Sequence, residues 1–157
     1  MKMKERLQYK IRVASEVSEK RDAVLQCESA FGNQQDNNHI LILDKLCTYA
    51  EFLIAEASQL LGYCAVYAND QQSKVAYISL LCVKKEYQGM GIGNALLQAC
   101  EDLAREKGMT VLRLEVKEDN EKAIRLYRGS GLIIRDRKLN KFIMEKALTT
   151  KHFAYIE

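Results

Sequence analysis

The chain has 157 residues, with 24 Lys and Arg against 21 Asp and Glu and a formal net charge of +3, a length that suits one domain whose core needs no disulfide or metal staple. The mild positive balance comes without a long basic block or a reader motif, which argues against a general nucleic-acid surface, and no apolar run approaches membrane-spanning length. The five cysteines, Cys27, Cys47, Cys64, Cys82 and Cys100, are widely spaced and lack the paired pattern of a zinc or thioredoxin-like site, so they read as buried free thiols. The odd count and the lack of a signal peptide favour a cytoplasmic chain.

Tyr9 to Val13 reads as a first short strand, and Ser18 to Phe31 as a helix with Val17, Val24, Cys27 and Phe31 at helical spacing. A polar loop over Gly32 to Asn38 and a second short helix over Leu41 to Tyr49 follow. Phe52 to Ala57 and Leu60 to Ala68 form an antiparallel pair turning at Ser58-Gln59, and the nearly continuous apolar run Val75 to Val83 fits a central strand covered on both faces. A helix over Asn94 to Lys107 carries Ile92, Leu96, Ala99 and Leu103 on its apolar side, with Gln98, Glu101, Asp102 and Lys107 on a wetter side, and Gly108 ends it.

Thr110 to Val116 alternates, with Leu112, Leu114 and Val116 facing one way and Val111, Arg113 and Glu115 the other. Asp119 or Asn120 caps a helix that stops near Gly129 to Gly131, and Leu132 to Arg135 with Lys141 to Lys146 close the fold as a last strand pair. Two strand-helix-strand passages beside an antiparallel first half predict an α/β fold, α+β in some schemes, with a mixed sheet and helices on its faces. Residues 1–147 make one domain, and the tail 148–157, with Phe153, Tyr155 and Ile156, either packs on the sheet, meets a second subunit or frays.

The chemistry concentrates at Gln88-Gly89-Met90-Gly91-Ile92-Gly93, between a strand and a helix. Glycines there let backbone amides turn toward an anion without a side chain in the way. The dinucleotide pattern G-x-G-x-x-G fails, because the last position falls on Asn94 from the first start and Leu96 from the second, and no Gly-Lys-Ser/Thr ending marks a nucleoside-triphosphatase loop. An ordinary strand-to-helix turn is the bland alternative.

The same residues match Q/R-x-x-G-x-G, and with Leu112 to Val116 and Asn120-Glu121-Lys122-Ala123-Ile124-Arg125-Leu126-Tyr127 before Gly131-Leu132 the chain resembles the GCN5-related N-acetyltransferase (GNAT) superfamily. Leu132 stands where Phe is commoner, and Lys85 where a proline often precedes the loop. The resemblance implies the acyl-CoA N-acyltransferase fold, a mixed central sheet splayed between strands 4 and 5 with helices on both faces. It also implies acetyl-CoA as donor, with the pantetheine arm paired to the backbone of Leu81, Cys82 and Val83. Gln88, Gly89, Met90, Gly91, Ile92, Gly93 and Asn94 would then cradle the pyrophosphate, with Asn120 contacting the cofactor from the next loop or serving only as a cap.

By the same match Tyr127 is the candidate general acid toward the departing sulfur, with packing as the alternative. Glu115 is a weaker candidate base; it could equally pair with Arg113 or face solvent. His39 and His152 are isolated, and no metal is expected. The expected activity is acetyl transfer from acetyl-CoA to a primary amine of a small metabolite or amino sugar by direct attack. The alternatives are a protein or peptide N-acetyltransferase and a non-catalytic acyl-CoA-binding sensor. The expected partner is thus a small-molecule amine, with no nucleic acid and no membrane; a homodimer is consistent with base rates.

Overall fold

The computed structural model describes residues 6–27 and 37–149. Seven strands form one sheet in the order β1-β2-β3-β4-β5-β7-β6. In chain order the elements are β1 (Lys10–Val13), α1 (Val17–Gln26), α2 (Asn37–Tyr49), β2 (Glu51–Glu56), β3 (Leu60–Tyr67), β4 (Val75–Val83), α3 (Ile92–Glu106), β5 (Val111–Lys117), α4 (Glu121–Gly129), β6 (Ile133–Lys138) and β7 (Lys141–Ala147). The first four strands run antiparallel to their neighbours, β4 and β5 are parallel across the α3 crossover, and β5, β7 and β6 are again antiparallel. The expected mixed sheet is therefore present.

Two cores cover its two faces. Leu53 and Ala55 of β2, Leu61 and Cys64 of β3, and Leu112 and Leu114 of β5 pack against Ile92, Leu96, Leu97 and Cys100 of α3, with α4 alongside. On the other face Phe52, Ile54, Tyr63 and Ala65 meet Ala23 and Val24 of α1 and Leu46 and Cys47 of α2. Phe52 and Tyr63 stack there with ring centroids 5.5 Å apart. The cysteines are free, four of them buried and Cys82 partly so.

Three expectations about local structure change. Asn37 and Asn38 begin α2 instead of ending a loop, so that helix starts four residues before Leu41. Glu101 is not on a wet side: it is 2% exposed, because Lys146 of β7 reaches across to it at 2.9 Å and Arg105 adds a second cation at 3.3 Å. The buried stripe of α3 is correspondingly turned toward Leu97, Cys100 and Ala104. Phe31, most of the 32–38 stretch, His152 and the tail aromatics Phe153, Tyr155 and Ile156 lie outside the described residues; Leu148, before them, is buried and its N–H donates to the Thr110 carbonyl at 2.8 Å.

Two irregularities of β4 prepare the site. Its pairing with β3 passes from Ile78 opposite Val66 to Leu80 opposite Ala65, leaving Ser79 as the extra residue of a bulge. The bulge changes the side-chain parity: Ala76 and Ile78 face the α3 core before it, Leu81 and Val83 face that core after it, and Leu80 and Cys82 turn to the other. Pairing with β5 stops at Ile78 opposite Leu114, although β4 continues to Val83 and β5 to Lys117. Beyond Ile78 the two strands part, as the family resemblance implied.

Candidate acyl-coenzyme A site

A cleft of about 310 Å³ opens where β4 and β5 separate, on the face carrying α3 and α4. Leu81 and Val83 supply its strand wall, Gln88, Gly89, Gly91, Ile92, Gly93 and Asn94 its loop and helix end, and Asn120, Leu126 and Tyr127 its far side. Of the residues expected to hold a cofactor, only Cys82 and Met90 stand outside this lining. Met90 is 55% exposed, and Cys82 directs its thiol into the opposite core, 3.9 Å from the Cys27 carbonyl.

The backbone at the end of β4 is offered to the cleft. Lys84 N–H donates to Leu61 O of β3 at 2.9 Å, so by strand alternation the polar groups of Val83 point the other way. The Val83 carbonyl indeed accepts from Gln88 Nε2 at 2.9 Å. Leu81 shares that orientation and Cys82 does not, which separates the three strand residues by backbone direction as well as by side-chain face.

From β4 the chain makes a single 3-10 turn over Lys85–Tyr87 and enters the glycine loop. Gly89 and Gly91 have φ of 80° and 83°, the left-handed region where a side chain is strained. Gly91 is also the N-cap of α3, and no side chain caps that helix. The first N–H groups of α3 are therefore free to meet an anion from the cleft, with the helix dipole behind them. Gly93 serves packing: a Cβ there would lie 3.2 Å from Leu126 of α4.

The start of α4 is different. The Asn120 side chain accepts from the Ala123 N–H at 3.2 Å, so it caps its own helix while bordering the cleft. Ser130 at the other end of α4 donates to Asn94 Oδ1 at 3.2 Å and ties the two cleft helices together. Tyr127 is half-buried against the α3 core, and burial, with Cys64 a smaller contributor, pushes its phenol up to about 12. It is a proton-bearing group over the whole physiological range.

Glu115 lies elsewhere. Just past the last β4–β5 pair, it faces the side of the sheet away from α3 and α4, in a groove with Tyr77, Arg113, Arg135 and Glu145. Its oxygen is 4.0 Å from Lys141 Nζ, while Arg113 pairs with Glu145 at 2.9 Å and not with Glu115. Burial, followed by the Glu115 charge, raises the Tyr77 phenol. Tyr87, Lys122, Ala123 and Leu126 also line the cleft without having been singled out; the i, i+3, i+4 spacing of Ala123, Leu126 and Tyr127 is the signal that places them on one helix face. Among the described residues no cluster of His, Cys, Asp and Glu could hold a metal.

The splayed mixed sheet, the uncapped glycine-rich helix start and the tyrosine lining the cleft are the features that the family resemblance implied. The Acetyltransferase (GNAT) family model matches residues 18–132, and the chain belongs to that family. It is similar to the thialysine N-epsilon-acetyltransferase of Sus scrofa, 33% identical over 91 residues that make 54% of each chain. It is also similar to N-alpha-acetyltransferase 30 of Schizosaccharomyces pombe, 35% identical over 80 residues and 51% of each chain. The chain thus spans about half the length of these relatives. The solved PaiA N-acetyltransferase of Thermoplasma acidophilum, in complex with coenzyme A, shares the fold with a TM-score of 0.67 at 22% identity, over 90% of this chain and 99% of that one.

Proposed function

We propose that the protein transfers an acetyl group from acetyl-CoA to a primary amine, a small metabolite or amino sugar, by direct attack. The carrying observation is the cleft between β4 and α4, which joins an unpaired strand edge, an uncapped helix start and the Tyr127 side chain. The strand edge suits the amide groups of a pantetheine arm, and the free N–H groups of α3 suit its diphosphate. Met90, Cys82 and Asn120 contribute less: the first is exposed, the second faces β3 and the other core, and the third is already engaged as a cap.

In the reaction the amine nitrogen forms a bond to the thioester carbon, and the carbon–sulfur bond breaks. Alignment of the two reactants supplies much of the rate, since the thioester is already activated. Tyr127 bears on the departing sulfur. A phenol near 12 and a thiol of about 8.5 make complete proton transfer uphill by about 5 kcal/mol. Its contribution is therefore the hydrogen bond that stabilises negative charge developing on sulfur, while the ammonium formed by attack is the more acidic source of the proton. Glu115, at the point where the strands part but on the opposite face, meets an amine arriving from that face and receives its proton directly or through water.

Free thiol released from acetyl-CoA across a panel of small amines, amino sugars and short peptides, followed by the mass of the product, tests this reading. Amine-dependent release with a product heavier by one acetyl group on a small amine is expected. Release with peptides alone would move the acceptor class toward protein N-acetylation, and tight donor binding without any amine-dependent release would make the protein a sensor.

A further inference from the structure

Lys122 is the one charged side chain among the residues that line the cleft. It occupies the second position of α4, where the helix dipole disfavours a cation. Among the described residues its ammonium pairs with no carboxylate; it donates instead to the neutral Gln88 Oε1 at 2.7 Å. Gln88 in turn donates to the Val83 carbonyl at 2.9 Å, so the side chains form a two-link strap from α4 to the end of β4. The strap spans the same cleft into which the free N–H groups of α3 point.

Two positive elements thus converge on one space, and the cation is parked on an amide in an electrostatically poor position. We infer that Lys122 is a phosphate-binding residue: its ammonium leaves Gln88 and takes a phosphate oxygen of the bound coenzyme, and Gln88 is left free to brace the loop through Val83. The inference rests on the acyl-CoA reading of the cleft. A coenzyme A molecule carries phosphate in two places, the diphosphate and the ribose 3′-phosphate, and the same ammonium chemistry suits either.

The test is calorimetric titration of coenzyme A and of dephospho-coenzyme A into the wild-type protein, Lys122→Met and Lys122→Arg, at low and high salt. Lys122→Met should weaken coenzyme A binding about 10-fold at low salt, less at high salt, with Lys122→Arg within about 3-fold of wild type. Equal weakening for dephospho-coenzyme A assigns the contact to the diphosphate, and weakening confined to coenzyme A assigns it to the 3′-phosphate. The melting temperature of unliganded Lys122→Met should be unchanged or raised, because a cation leaves the first turn of a helix; a merely structural strap would lower it. Lys122→Met binding both ligands as tightly as wild type, or a weakening that salt does not alter, overturns the inference. Failure of the wild type to bind either ligand overturns the acyl-CoA reading itself.

Discussion

Tyr127 lines a cleft whose apolar walls also include Leu81, Val83, Ile92, Ala123 and Leu126. Burial holds the phenol up to about 12, so it stays protonated as pH rises through 10 and cannot be the group that sets an alkaline limb below that. Tyr127→Phe keeps the ring and removes the donor. It should lower kcat by about 100-fold, leave the dissociation constant of coenzyme A within a factor of about two, and leave the shape of the pH–rate profile between pH 6 and 10 unchanged. Steady-state kinetics beside a binding titration checks this; unchanged turnover would return Tyr127 to a packing role. The residue was singled out through the family resemblance, on the Leu126-Tyr127 pair that follows Asn120 and Ala123. The separation of Cys82 from Leu81 and Val83 was not legible in the sequence, since it depends on the Ser79 bulge reversing side-chain parity within an unbroken apolar run.

At the scale of elements, the cleft keeps its shape because α3, α4 and β7 are joined through Glu101 and Lys146. Lys146 Nζ donates to both Glu101 oxygens, at 2.9 and 3.1 Å, and to the Ser130 carbonyl beyond the end of α4 at 2.8 Å. Removing the cation leaves a carboxylate buried with Arg105 at 3.3 Å as its remaining partner. Lys146→Met should therefore cost about 3 kcal/mol of stability, whereas Glu101→Gln, which leaves a partly exposed lysine able to reach water, should cost less. Urea unfolding of the two variants measures the difference, and equal small losses would show that the pair does not hold the helices. Helical periodicity could not reveal this contact, because an isolated Glu among Gln98, Asp102 and Lys107 reads as solvent-facing until β7 is placed against it. The strand positions, by contrast, were readable from apolar alternation and from the run Val75 to Val83, whose observed bounds agree with the expected ones.

Over the whole molecule, the order of elements and the mixed sheet followed from pattern alone, while the parting of β4 and β5 entered through the family resemblance. It coincides with the bulge at Ser79: β4 and β5 are parallel for four residue pairs ending at Ile78 and Leu114 and then separate, while β4 stays paired with β3 and β5 with β7 on their other edges. The cleft that we propose takes the donor is the better defined half, because its lining includes glycines that leave a mark in sequence. The groove on the opposite face, which we propose receives the amine, joins Arg113 and Glu115, placed together by strand alternation, to Arg135 and Glu145 of the last strand pair, which no spacing connects to them. The central claim is that acetyl-CoA lies along the free edge of β4 with its phosphates at the start of α3. Amide hydrogen exchange with and without acetyl-CoA tests it most directly. Binding should slow exchange at Leu81, Val83 and 88–94 and leave Cys82 and the β5–β7 ladder unaffected. No change at 88–94, or slowing confined to the groove around Tyr77 and Arg113, would contradict it.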